Sequence, residues 1–412
     1  MTKQEAAIKY ITENYLDYRR LRHDIVADKL QVRVAHSLED ASLQNAPEGL
    51  QFRGSEYWRE MTKHDINSIV CHCAQEYDAN ITSREVMTAL QSDLIPDVHP
   101  LREYVLSCGE WTEEQPDWID WVASQVRVKT SPESATDRPK GLSERTACCQ
   151  TTMLLDRPYG ADRPMNLTSE AGLTVSETHG LTSNSSQSER SKADRLWRGC
   201  FKKWFVAMVA SWMKDEVVNH QVLVLIGKQG IFKTTWLEHL IPPHLRAYAC
   251  KLANSNDLNK DERLRIAEFG LISLDEIDSM NNRELNQLKS VITATDVNER
   301  AAYAYTKERR VRLASFCASG NRRDFLTDIT GNRRWLPFEV ESIQNPFYTL
   351  LPYERMYAQA WALAQDPLFS YWFDLDEIEV LEEHNQHLGM RVMRSSCCRY
   401  SLMCLPRAEA SL

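Results

Sequence analysis

Lys233, Thr234 and Thr235 stand just after two glycines, Gly227 and Gly230, which themselves follow a run of β-formers from Val222 to Ile226. An apolar run this short suits a buried strand. The glycines let the backbone turn sharply and come close to a ligand. Trp236 to Leu240 continue at helical spacing. Strand, glycine loop and Lys-Thr at a helix start form a cradle for phosphate. Loop N–H groups and the helix N-terminus point at the anion, Lys233 reaches the β/γ-phosphates of a nucleotide, and a Thr hydroxyl holds Mg²⁺. The usual pattern has Gly directly before the lysine; here that residue is Phe232. An ordinary glycine turn between strand and helix is the plainer alternative.

A second apolar run, Phe269 to Leu274, ends in Asp275 and Glu276, with Asp278 close behind. A buried strand with two acids at its C-terminal end suits nucleotide chemistry, because ligands sit at that edge of an open α/β sheet. Asp275 is expected to hold Mg²⁺ through water, and Glu276 to orient and polarise the attacking water. Acids capping the next helix explain one carboxylate better than a pair. A third strand, from Leu313, ends in Asn321, which is placed to touch the attacking water or the γ-phosphate. Arg333 and Arg334 follow a glycine turn at Gly331. An arginine reaching a neighbouring subunit's nucleotide stabilises charge developing in phosphoryl transfer. A surface ion pair is the alternative for either one.

Between the second and third strands, Tyr303 and Tyr305 alternate with small residues, as in a strand, and Lys307 to Arg310 read as a turn or its flank. Such a hairpin can grip a phosphate backbone through Lys307, Arg309 and Arg310 and stack bases on the tyrosines. A solvated charged hairpin is the competing reading. Residues 300–334 hold nine Arg or Lys against three acids, +6 within a chain of net charge −9. The chain as a whole is therefore no polyanion binder, and a nucleic-acid surface must be a local patch.

The elements that must position these residues fall into four stretches of the 412-residue chain. Residues 1–129 read as mainly helical: Ala6, Ile8, Tyr10 and Ile11 share an apolar face, 56–77 is helix-like, and Ser83 caps a further helix. Trp118, Trp121 and Val122 share a helical face suited to a core. Residues 130–195 gather Ser, Thr, Asp and Pro, too few of them apolar to offset the entropy of ordering, so a flexible linker or insert is expected. Residues 196–342 carry the ATPase-like motifs behind an aromatic helix that includes Trp197, Phe201, Trp204, Phe205 and Trp212. Residues 343–412 read as a helical extension. Eleven cysteines in a long chain without an apolar leader read as reduced thiols in a cytoplasmic protein, with no membrane span. Cys71, His72 and Cys73 fit helix packing better than a zinc site, since their spacing matches no standard ligand pattern.

The motifs Gly227 to Thr235, Leu274 to Asp278, Ala318 to Asn321 and Asp328 to Trp335 together resemble the virulence-associated protein E family. Its ATPase domain is similar to superfamily 3 helicases within the AAA+ class. The resemblance covers residues 197–342, and Pro96 to Tyr104 is similar to the helical region preceding the ATPase in that family. It implies an α/β P-loop NTPase with a mostly parallel sheet flanked by helices. It also implies Lys233 and Thr234 for nucleotide and Mg²⁺, Asp275 and Glu276 for hydrolysis, Asn321 as sensor, and Arg333 or Arg334 as finger in a ring-shaped homo-oligomer. ATP and Mg²⁺ are the expected cofactors. Nucleic acid, single-stranded DNA first, is the expected partner, in phage or mobile-element replication. Part of 130–195 looks like an insertion relative to the family, and the end at Leu412 suggests a truncated copy. A regulatory or defence switch that unwinds nothing, or an inactive relic, are the alternatives to a motor.

Overall fold

The structure, a computed structural model, describes residues 2–35, 56–77, 80–129, 184–252, 260–299, 308–322, 332–386 and 388. The chain forms two compact units, Met1–Lys129 with Asp194–Leu412, and Thr130–Ala193. Most of the expected linker lies outside the described residues. Its last part does not: 184–195 already belong to a helix.

The first unit begins with α1 (Lys3–Ile11), started by Thr2, whose hydroxyl accepts from the N–H of Glu5 while the Glu5 carboxylate accepts from the N–H of Thr2. The strands β1 (Leu21–Asp24), β2 (Lys29–Ala35) and β3 (Glu56–Glu60) follow, then α2 (Lys63–Tyr77), α3 (Ser83–Leu90) and β4 (Asp97–Val98). They form a sheet of order β3-β2-β1-β4, antiparallel except for the β1–β4 pair. These strands add to the mainly helical N-terminal region expected, in which helical residues still outnumber strand residues among those described. Leu30, Val32 and Val34 alternate with Gln31 and Arg33, and a period of two seats a strand, not a helix. The helix expected over 56–77 begins only at Lys63. The cap of α3 is Thr82, which bonds Glu85, so Ser83 is the first helical residue.

The helices α4 (Pro100–Ser107) and α5 (Trp118–Ala123) and the strand β5 (Val126–Val128) do not stay with that small sheet. Leu101, Val105, Ile119, Val122 and Val126 join the hydrophobic core around α6 (Asn184–Met213). Trp121, expected in a core, is 42% exposed.

The main sheet is built from β5, β6 (Val222–Ile226), β7 (Ala249–Leu252), β8 (Leu271–Leu274), β11 (Ser315–Gly320) and β12 (Trp335–Ile343). The intervening elements are α7 (Lys233–Glu238), α8 (Lys260–Glu268), α9 (Asn282–Thr293) and a hairpin of β9 (Asp296–Glu299) and β10 (Glu308–Val311). The helix α10 (Tyr353–Gln365) and a helix over 375–386 follow β12. The sheet order is β5-β12-β6-β11-β8-β7. All pairs are parallel except β5 with β12. Leu223 and Leu225 face the core of α6, α7 and α10, whereas Val222, Val224 and Ile226 face α8 and α9. A strand covered on both faces carries an unbroken apolar run, which is why β6 reads Val-Leu-Val-Leu-Ile. Three buried indoles of α6 still find acceptors: Trp197 donates to Ala123 O (2.9 Å), Trp204 to Phe316 O (3.1 Å) and Trp212 to Gly270 O (3.1 Å). Among the described residues no helix is long and apolar enough to cross a membrane.

Candidate functional site

Parallel pairing aligns the strand ends. Ile226 lies opposite Gly320, Ala318 opposite Leu274, and Leu274 opposite Leu252. The segments that leave β6, β8 and β11 therefore emerge at one edge, carrying Lys233, Asp275 and Asn321. They line a cleft of about 300 Å³ with Gly230, Phe232, Thr234, Thr235, Glu276 and Ser319.

Lys233 is buried at the start of α7. Its ammonium donates to the carbonyls of Gly227 (2.9 Å) and Lys228 (2.7 Å) and to Asn321 Oδ1 (3.2 Å). Burial lowers its pKa, an effect that Asp278 and Asp275 partly offset. Gly227 has no room for a side chain: a Cβ there would lie 2.9 Å from Val340 O. Gly230 has φ of 83°, the left-handed region glycine tolerates. Phe232 takes φ of 65° at the place where the usual pattern has glycine. Glu276, exposed at the rim, takes φ of 53°. Left-handed non-glycine residues cost on the order of 1–3 kcal/mol each and cluster at functional sites.

Asp275 is the hub. Its Oδ1 accepts from Ser319 Oγ (2.6 Å) and Thr234 Oγ1 (3.1 Å), and those two hydroxyls lie 3.0 Å apart. Its Oδ2 pairs with Lys251 Nζ at 2.9 Å. Burial alone would raise the Asp275 pKa, but bonds from Ser319, Lys251 and Thr234 outweigh it and hold the carboxyl below its ordinary value. One carboxylate and neighbouring hydroxyls are hard oxygen donors of the kind Mg²⁺ takes alongside phosphate and water. Asp278 fixes the third strand end: its Oδ1 accepts from the Asn321 N–H at 3.0 Å. Behind the acids, Asn281 caps α9 through Arg283 and Glu284.

The expectations missed two members of this cluster. Ser319 sits inside the third-strand motif, one strand period before Asn321, and its position at a parallel strand end was the available signal. Lys251 is a lone lysine on β7 with nothing around it in the sequence to mark it.

A model of the virulence-associated protein E-like domain matches residues 176–388, more than half of the chain. The chain belongs to the virulence-associated protein E-like family. A search among curated proteins gave no match. Among solved structures, the apo structure of the NrS-1 C terminal region is 12% identical, with a TM-score of 0.38, over 92% of this chain and 75% of that one. An A form apo structure of the same region is 11% identical, with a TM-score of 0.40, over 90% and 73% respectively.

Two groups of expected residues in this virulence-associated protein E-like chain stand away from the cleft. Arg333 and Arg334 form a short 3₁₀ turn before β12, whose first residue Trp335 pairs with Val222 at the start of β6. They sit at the opposite edge of the sheet from Lys233. The β9–β10 hairpin occupies the same segment of chain that leads into the start of β11. Tyr303, Tyr305 and Lys307 lie outside the described residues. Of the stretch read as a turn or its flank, Arg309 and Arg310 lie in strand β10, on the flank, where they pair across to Asn298 and Val297. Arg309 forms an ion pair with Asp296, and Arg310 with Asp28 (2.8 Å) and Glu268 (3.7 Å). Arg312, counted in the basic surplus, is wholly buried and contributes nothing to a surface patch.

Proposed function

We propose that this chain binds and hydrolyses ATP with Mg²⁺ through an AAA+-like P-loop fold and acts as a helicase-like motor on nucleic acid, single-stranded DNA first, in phage or mobile-element replication. The observation that carries this reading is the convergence of Lys233, Thr234, Asp275 and Asn321 at the aligned C-terminal ends of three neighbouring parallel strands. Lys233 exchanges its loop carbonyls for the β/γ-phosphates, and Asn321, already bonded to Lys233, meets the terminal phosphate. Thr234 and Asp275 hold Mg²⁺, which supplies charge neutralisation to the phosphates. Glu276 orients the attacking water. Gly227, Gly230 and Thr235 shape the cradle.

Arg333 and Arg334 support a homo-oligomer. Five residues of β6 separate the two sheet edges, roughly 16 Å at strand rise. An arginine at the far edge serves a neighbouring subunit's nucleotide rather than its own, as a ring requires. On the hairpin, Arg309 is the described residue best placed for a phosphate backbone. Its side chain is 76% exposed, and an ion pair that exposed is worth little. Arg310 is committed to Asp28 and Glu268, and Arg312 is buried. That loss of surface charge favours a second reading, an ATP-controlled assembly switch without unwinding.

ATP turnover measured with and without single-stranded DNA, with oligomer mass alongside, separates these. Stimulation by DNA supports the motor. Turnover indifferent to DNA, with mass changing on ATP binding, supports the switch.

A further inference from the structure

Apart from two glycines, the phosphate cleft is lined by polar side chains and the Phe232 ring. A nucleotide carries a flat base as well as its phosphates. Beyond the phosphates, the path along α7 runs from Thr235 to His239, one helical turn on and on the same face. The His239 ring is held in place, with Nδ1 on Thr235 O at 2.7 Å. Against it stands Phe347, in the connection from β12 to α10. The Phe347 ring meets His239 edge to face (5.5 Å between centroids, 86°) and Phe232 likewise (6.4 Å, 81°). The Phe347 backbone is pinned by its own N–H donating to Asn345 Oδ1 at 3.0 Å. The segment behind is pinned too, because Tyr353 donates its hydroxyl to His239 O at 2.7 Å. Phe347 nevertheless remains 57% exposed.

A phenyl ring in contact with two other rings, held by its backbone and still exposed, stands beside Phe232, which itself lines the phosphate cleft. The geometry points to Phe347 as the stacking platform for the purine base of the bound nucleotide, with Phe232 and His239 setting its angle. The inference rests on the nucleotide-site reading above. It also accounts for Phe232, whose left-handed backbone at a glycine position brings its ring against Phe347. Stacking on an aromatic ring is tolerant of base identity, so adenine and guanine nucleotides are both accommodated.

Equilibrium binding of ATP and of inorganic tripolyphosphate, with the full chain and its Phe347→Ala and Phe347→Trp variants, tests this. Tripolyphosphate shares the phosphates and lacks the base. Phe347→Ala is expected to weaken ATP by about 5- to 140-fold, the range for loss of one base–aromatic stack. It should leave tripolyphosphate binding unchanged, and Phe347→Trp should retain ATP affinity. Equal weakening of both ligands, or unchanged ATP binding in Phe347→Ala, overturns the platform. Wild-type chain that binds tripolyphosphate as tightly as ATP also overturns it while sparing the phosphate cradle. Wild-type chain that binds neither removes the cradle itself, and the platform with it.

Discussion

Arg312 makes a demanding test of how the hairpin is joined to the main sheet. It lies between β10 and β11 and is 0% exposed. Its guanidinium donates to the carbonyls of Asn219 (2.9 Å), Ala314 (3.0 Å), Ala294 (3.2 Å), Val291 (3.4 Å) and Ile292. Three of these acceptors belong to the C-terminal end of α9, where carbonyls lack helical partners and favour a cation. A fourth, Asn219, precedes β6. Burial pushes the guanidinium pKa down to about 9, so the charge is held there at a cost that the carbonyls offset. Arg312→Met keeps much of the volume and removes every donor. Each orphaned buried carbonyl costs about 1–3 kcal/mol, partly recovered by relaxation and by no longer burying a charge. The net expectation is a loss of about 3–5 kcal/mol, a large share of the 5–15 kcal/mol typical of a folded domain. Thermal and urea unfolding read the loss, and hydrogen exchange should show β9, β10 and the end of α9 opening together. A variant within about 1 kcal/mol of wild type, with unchanged exchange in the hairpin, would refute the anchoring role.

Ser319→Ala removes the shorter hydroxyl bond to Asp275 and is expected to cost about 1–2 kcal/mol at neutral pH, since Asp275 is partly solvated. The Asp275 pKa is lowered in the fold. The cost should therefore be full above the ordinary carboxylate range and fade as pH falls through the lowered folded value, which urea melts across pH will show. His99 caps α4 with its ring accepting from the Arg102 N–H, and burial lowers its pKa from 6.5 to about 4. Because the unfolded chain binds the proton first, stability should be full above pH 6.5 and fall toward pH 4. His99→Asn, which keeps a cap without a titrating ring, should melt like wild type at pH 8 and hold more stability than wild type at pH 5.

The site was legible where a motif ends a buried strand. Lys233, Asp275 and Asn321 sit together because parallel register aligns three strand ends, and each strand announced itself by an apolar run closed by a polar residue. Ser319 lay within reach of the same logic. Lys251 did not, because its role depends on β7 lying beside β8, which only tertiary pairing decides. The N-terminal strands were missed although Leu30, Val32 and Val34 alternate; only Val32 of the three is deeply buried, so the pattern is shallow. Val126 to Val128 are too few to signal an edge strand, yet they close the main sheet against β12. Arg312 read as surface charge because the carbonyls that bury it come from segments far apart in sequence. Arg309 and Arg310 carry ion-pair partners the sequence did not mark for a similar reason: Asp296 pairs with Arg309 from the facing strand, and Asp28 and Glu268 reach Arg310 from two other elements.

The central claim is that Lys233 holds nucleotide phosphate and Glu276 acts on water. Calorimetric ATP binding with Mg²⁺, paired with phosphate release, on wild type, Lys233→Ala and Glu276→Gln tests it most directly. The account predicts that Lys233→Ala weakens binding and abolishes release, because a buried cation on the β/γ-phosphates is lost, while Glu276→Gln binds ATP as wild type does and releases no phosphate. Undiminished ATP binding and turnover in Lys233→Ala would contradict it.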